Sequence, residues 1–134
     1  MSINNEYYMV KEFHKAFNHP YSDTPKLMNL ERAKKRCSWM NEEIHEFIDA
    51  TKDEDIYEQV DAMVDLIYFA LGTLVEIGAP PEEIFKIVQS ANMNKLWGDG
   101  KPRFRESDSK VIKPANWENP HNKIVEAINK MINE

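Results

Sequence analysis

A chain of 134 residues has room for one domain with a real core and needs no disulfide or metal staple to hold it. Its net charge of −6 argues against a general nucleic-acid binder, although a compact basic patch could still meet a phosphate ligand. A single cysteine, Cys37, excludes an internal disulfide, and neither a signal-type N-terminus nor an apolar run near the ~18 residues of a membrane span is present, so a cytoplasmic location is expected.

Asn4 to Phe17 reads as a first helix, because Val10, Phe13, His14 and Phe17 recur at helical spacing. His14 reads as a hydrogen-bonded histidine at the edge of the core, with a ligand contact as the alternative. Asn18 to Pro25 is dense in turn formers, and Thr24 before Pro25 predicts the cap and first residue of a second helix. That helix runs from about Lys26 to Thr51, with Leu27, Leu30, Cys37, Met40, Ile44, Phe47 and Ile48 on its apolar stripe. Arg32, Lys34, Lys35 and Arg36 form a basic patch on it. The patch is either a solvated face or the place where Arg36 orders the acids downstream or meets a phosphate.

Lys52 to Asp55 is a connection short enough to force an antiparallel helix pair. The third helix, Ile56 to Ile77, stops at Gly78 and is apolar nearly all round, which predicts a central position or a subunit interface. Pro80-Pro81-Glu82-Glu83 opens a fourth helix, which ends near Asn92 to Leu96 before the turn cluster Trp97 to Pro102. Arg103 to Trp117 reads as extended or hairpin-like, with Ser107-Asp108-Ser109 as its turn. Between Lys95 and Lys113 six cations stand against three acids, so this segment is either a solvated tail or a phosphate clamp. Asn119-Pro120 opens a last helix with Ile124, Ala127, Ile128, Met131 and Ile132 on one face. The expected fold is all-α: a four- to five-helix bundle with an extended basic segment before the last helix, as one domain over residues 1–134.

The carboxylates concentrate in one part of the chain. Glu42, Glu43 and Glu46 lie on the second helix; Glu58, Asp61 and Asp65 lie on the third, three and four residues apart and so on one face. No Lys or Arg occurs from Asp53 through Phe85, and Asp65 sits between Val64 and Leu66-Ile67. A buried, unpaired carboxylate is costly and tends to take up a proton. Two such faces packed together call for a cation, and an oxygen-preferring divalent metal answers: Mg²⁺ first, Mn²⁺ second. The alternative is a pair of merely solvated acidic faces.

Glu42-Glu43-Ile44-His45-Glu46, followed by E-Q-V-D-A-M-V-D-L-I-Y from Glu58 to Tyr68, resembles the carboxylate signature E-E-x-x-E then E-x-x-D of the all-α nucleotide pyrophosphohydrolases. That superfamily includes the MazG-type enzymes, the dimeric dUTPases and phosphoribosyl-ATP pyrophosphohydrolase. F-H-K-A-F from Phe13, Y-F-A-L-G from Tyr68 and S-A-N-M-N-K-L-W-G-D-G-K-P from Ser90 are similar to the phosphoribosyl-ATP pyrophosphohydrolase branch. The resemblance spans roughly Tyr7 to Pro114. It implies Mg²⁺-dependent hydrolysis of a nucleoside triphosphate between the α and β phosphates, giving a monophosphate and pyrophosphate. It also implies Glu43, Glu46 and Asp65 as metal ligands, with Asp61 or Glu58 completing the set. Glu42 or Glu46 would be the base, and Arg36, Asn92, Lys95 and Lys101 the substrate contacts. The sequence departs from the simple pattern, because E-Q-V-D offers Asp61 where the apolar D-L-I-Y context favours Asp65.

The expected partners are a nucleotide substrate and further copies of the chain, as a dimer or tetramer; no nucleic-acid polymer and no membrane is expected. Two other readings compete. A di-iron or other metal-binding bundle would use Glu42 and His45 as its E-x-x-H, but such sites need a second one facing it from another helix. A non-catalytic oligomeric helical protein would use the apolar girth of the third helix alone.

Overall fold

The protein is described by a computed structural model covering residues 2–134. The described residues form α1 (Ile3–Ala16), α2 (Leu30–Lys52), α3 (Ile56–Ile77), α4 (Glu82–Met93) and α5 (His121–Asn133). There is no β-strand among them, only an isolated antiparallel bridge between Phe104 and Val111. The all-α expectation holds, and so does the hairpin-like segment before the last helix. The chain, read from sequence as one domain, divides into two compact units, Met1–Pro81 and Glu82–Glu134.

In the first unit, the helix ends follow local chemistry. Ser2 caps α1 by accepting from the Asn4 amide, and Asp55 caps α3 by accepting from the amides of Tyr57 and Glu58. Gly78 closes α3 with a left-handed φ of 86°, its amide donating to the Leu74 carbonyl. A side chain at Gly78 would also collide with the Thr24 carbonyl, so glycine is required there twice over.

The start of α2 differs from the sequence reading. Thr24 and Pro25 do not open the helix; Asn29 does, accepting from the Arg32 amide at 2.8 Å. The intervening segment is engaged elsewhere. The Ser22 amide donates to the Val75 carbonyl at 3.1 Å, and the Lys26 amide donates to the Ile77 carbonyl at 2.8 Å. Those carbonyls belong to the last turn of α3, where no intrahelical partner exists. Satisfying them outweighs four more residues of helix.

α1 and α2 both pack on α3. Tyr7 and Val10 from α1 meet Leu71 and Val75 from α3 in the buried core, with Ile3 and Leu74 beside them. α2 and α3 run antiparallel, as the three-residue connection requires. Gln59 donates to the Thr51 hydroxyl near the turn, while Arg36 reaches Thr73 and Arg32 reaches Glu76 at the far end. The helix expected to be central is covered on one side only. Val60, Val64 and Ile67 are 57%, 54% and 55% exposed, and Ile44 and Ile48 on α2 are exposed too. No single helix among the described residues is long and apolar enough to cross a membrane.

In the second unit α5 packs on α4, with Ala91 and Ala127 buried. The Asn119 side chain accepts from the His121 amide at the start of α5. In the hairpin-like segment the Arg105 amide donates to the Lys110 carbonyl and the Ile112 amide to the Arg103 carbonyl. Arg105 and Asp108 form an ion pair across its turn.

Candidate active site

The antiparallel register sets the middle of α2 beside the first half of α3. It brings together Glu43 and Glu46 from α2 with Asp61 and Asp65 from α3. The Glu43 carboxyl is pushed up to about 7 from its ordinary 4.5. Desolvation is the largest cause, followed by a hydrogen bond with the Glu46 carboxyl and by the negative charges of Glu46, Asp65 and Asp61. The Asp65 carboxyl is also raised, first by desolvation and then by Asp61 and Glu46. Glu43 Oε2 is shut away from solvent and has no hydrogen-bond partner. No ion pair from Lys, Arg or His reaches this group among the described residues.

Asp61, not Glu58, is the second α3 carboxylate that acts on Glu43 and Asp65. Glu58 stands one turn nearer the start of the helix, its amide tied to the Asp55 cap. Glu42 is not brought into the group. It lines an open groove with Cys37, Ser38, Asn41 and His45, because adjacent helical residues are turned about 100° apart.

The donors suit a hard cation. They are all carboxylate oxygens, they repel one another, and one of them is buried without a partner. Among the described residues, no three His, Cys, Asp or Glu side chains are drawn into a closed coordination set. Mutual repulsion among uncompensated carboxylates keeps such a set open.

Arg36 is placed differently from the sequence reading. It is 3% exposed, and its Nη1 donates to Glu76 Oε2 at 2.6 Å, its Nε to Thr73 Oγ1 at 2.9 Å and its Nη2 to the Phe69 carbonyl at 3.1 Å. Arg32 binds the same Glu76 carboxylate through Nε at 2.7 Å and Nη2 at 3.0 Å. Buried and donating from Nε, Nη1 and Nη2 inside the first unit, Arg36 ties α2 to the last turns of α3. Gly72 makes room for it: a Cβ there would lie 2.5 Å from Arg36 Nη2 and 2.9 Å from His14 Nε2. His14 is buried, its Nδ1 2.7 Å from the Pro20 carbonyl, in agreement with the core reading. Burial lowers its pKa most, and Arg36 adds to the effect.

Glu76 was not singled out by the sequence. The available signal was the i,i+4 spacing of Arg32 and Arg36, together with a lone acid in the last turn of a helix without a base.

The remaining candidates lie in the second unit. Asn92 is exposed on the last turn of α4. Lys95 is half-buried, its ammonium 5.6 Å from the centre of the Trp117 ring. Lys101 is exposed in the turn after Trp97, its amide donating to Asp99 and its carbonyl accepting from the Trp97 amide.

The family model for phosphoribosyl-ATP pyrophosphohydrolase matches residues 10–92, more than half of the chain. The chain belongs to the phosphoribosyl-ATP pyrophosphohydrolase family. It is similar at 34% identity to a protein of Exiguobacterium sp. 255-15, known from a crystal structure at 1.78 Å and described provisionally as an NTP pyrophosphohydrolase. The match covers 95% of this chain and 96% of that one, with a TM-score of 0.56. No curated protein matches. The carboxylate group on α2 and α3 lies wholly inside the matched residues, and the chain is a nucleotide pyrophosphohydrolase.

Proposed function

We propose that this pyrophosphohydrolase cleaves a nucleoside triphosphate between its α and β phosphates, releasing a monophosphate and pyrophosphate, with Mg²⁺ or, second, Mn²⁺ held by Glu43, Glu46, Asp61 and Asp65. The observation that carries this reading is the four-carboxylate group with a buried, partnerless oxygen on Glu43 and no cation of its own. When bound, the metal supplies charge neutralisation for the phosphate oxygens and makes a water easier to deprotonate.

The residues do the rest. Glu43, its carboxyl pushed up to about 7 in the free protein, would give up its proton to hold the cation. Glu46, on the exposed side of the group, is the base: it accepts a proton as the water oxygen joins one phosphorus of the α–β anhydride. The electron pair of the broken P–O bond leaves on the other phosphate group. Asn92, Lys95 and Lys101 are assigned to the nucleotide on their charge and chemistry. Glu42, on another stripe of α2, is not given the base role.

Pyrophosphate, detected as the first product from a panel of nucleoside triphosphates with Mg²⁺ and absent with a chelator, tests the reaction. Orthophosphate as the first product would refute α–β cleavage.

A homo-oligomer, dimer or tetramer, is part of the same proposal. Val60, Val64 and Ile67 form an exposed apolar stripe of a length that single surface residues do not explain. Light scattering at micromolar concentration should exceed the 15.7 kDa of one chain, and a monomer would refute it.

A further inference from the structure

Asp61, Asp65, Tyr68 and Gly72 follow one another at spacings of three or four, so they lie on one stripe of α3. At Gly72 that stripe faces the seam between two helices: a Cβ there would meet Arg36 of α2 on one side and His14 of α1 on the other. The α2 wall of the seam carries Glu43 and Glu46, whose carboxyls interact with Asp61 and Asp65. The α1 wall is aromatic. As α1 runs on from Tyr7 and Val10, its partners on α3 move from Leu71 and Val75 back to Tyr68, whose ring lies 5.7 Å from that of Phe13, edge to face. Phe17, one turn further on, packs at 4.6 Å on Phe13 and so stands toward the Asp65 end of the stripe. His19 joins the group, its ring 5.8 Å from that of Phe13.

These rings are uncovered. Phe13, Phe17 and Tyr68 are 37%, 64% and 41% exposed. Among the described residues no Lys or Arg stands over any of them; the cation–ring contacts involve Tyr21, Trp39, Phe69, Trp97 and Trp117. Tyr68 follows Asp65 by three residues, about 4.5 Å along the helix axis. Bare rings that close to four carboxylates fit a guest with two unlike ends. One end carries anionic oxygens for a cation held on the carboxylates, and the other is a flat ring.

We infer that the heterocyclic base of the nucleotide stacks on the face formed by Phe13, Phe17 and Tyr68, with His19 supplying a ring nitrogen to the base edge. The inference rests on the nucleotide reading above and adds where the base is held, within the first unit and beside the carboxylates. Stacking tolerates any base, because every base has a π-face, so this face accepts all four.

Ligand-observed saturation-transfer NMR on the full chain with Mg²⁺ provides the test. The adenosine, guanosine, cytidine and uridine monophosphates are titrated in turn, and ribose 5-phosphate serves as the probe without a base. Each monophosphate should bind more tightly than ribose 5-phosphate, with saturation strongest on its base protons. Phe17 is exposed and follows the last residue of α1, so its side chain can be cut back without threatening the fold. Phe17→Ala should weaken each monophosphate about 5- to 150-fold, the range that one stacked base spans, and leave ribose 5-phosphate unchanged. Phe17→Tyr keeps a ring and should restore the affinity. Tyr68→Leu, a second removal of a ring, should weaken the monophosphates alone in the same way. Equal affinity for ribose 5-phosphate and the monophosphates, or unchanged monophosphate affinity in Phe17→Ala and Tyr68→Leu, would overturn the stacking face. Pyrophosphate release with unchanged KM in those two variants would also overturn it, and hydrolysis would stand. Ring-dependent binding of the monophosphates in a chain that releases no pyrophosphate would leave the face standing and refute the hydrolysis.

Discussion

The α2–α3 hairpin carries charge at two places, and they are built in opposite ways. Toward its far end, Arg32 and Arg36 converge on Glu76, with every charge within hydrogen-bond reach of an opposite one. Glu76 is held below its usual range: burial alone would raise it, but Arg32 and Arg36 outweigh burial. Nearer the turn, Glu43 and Asp65 are raised in pKa, first by desolvation and then by neighbouring carboxylates, and no ion pair among the described residues settles them. One helix pair thus supports both a completed charge network and an incomplete one. The completed network has nothing left to offer a ligand. The incomplete one has a buried oxygen with no partner, the feature on which the proposed cation site rests.

The sharpest way to break the comparison is to make the complete end incomplete. Glu76→Ala leaves Arg36 buried without its counter-charge, and should cost about 3–5 kcal/mol, the usual penalty for orphaning one partner of a buried ion pair. Urea unfolding at fixed pH measures it. A loss under about 1 kcal/mol would mean that this network does not hold the hairpin together.

At the acidic end, Asp65→Asn should do the reverse. It removes one of the repelling charges with little change in shape, so with chelator the variant should melt at the parent's temperature or higher. The gain in melting temperature that Mg²⁺ gives the parent should shrink. Activity should fall by more than the ~10–100-fold that changes to outer-shell partners cost metal sites. A destabilised variant that kept both its Mg²⁺ shift and its activity would remove Asp65 from the site.

The smallest effect is the pH dependence. Glu43 holds its proton up to about 7 in the folded chain against 4.5 ordinarily, so between those values the native state binds more protons than the unfolded one. Stability contributed by Glu43 is therefore present in the lower part of that window and is lost as pH rises through about 7. His14, lowered by burial, works in the opposite direction: stability falls as pH drops below its ordinary 6.5. The difference between parent and Glu43→Gln, melted with chelator from about pH 5 to about pH 8, isolates the carboxylate. The parent should lose ground relative to the variant as pH rises. Parallel curves would mean that Glu43 ionises as an ordinary surface acid.

The outline of the molecule was legible in the residues because helix-forming patterns are local. Apolar spacing placed α1 and α3, Asp55 and Gly78 bounded α3, and three residues between α2 and α3 allowed only an antiparallel hairpin. That hairpin put Glu43 and Glu46 opposite the α3 acids before any coordinate was known. Interactions over long sequence separations were not legible. α2 begins at Asn29 because Ser22 and Lys26 are drawn to carbonyls about fifty residues away in sequence. Arg36 faces Glu76, 40 residues on, and its commitment there depends on the way two helices happen to register. That Asp61 and not Glu58 bears on the Glu43 and Asp65 carboxyls has the same origin. Composition and periodicity settle which side chains share a helix face; which faces meet, and so which charges are cancelled and which are left open, is decided only when the helices pack.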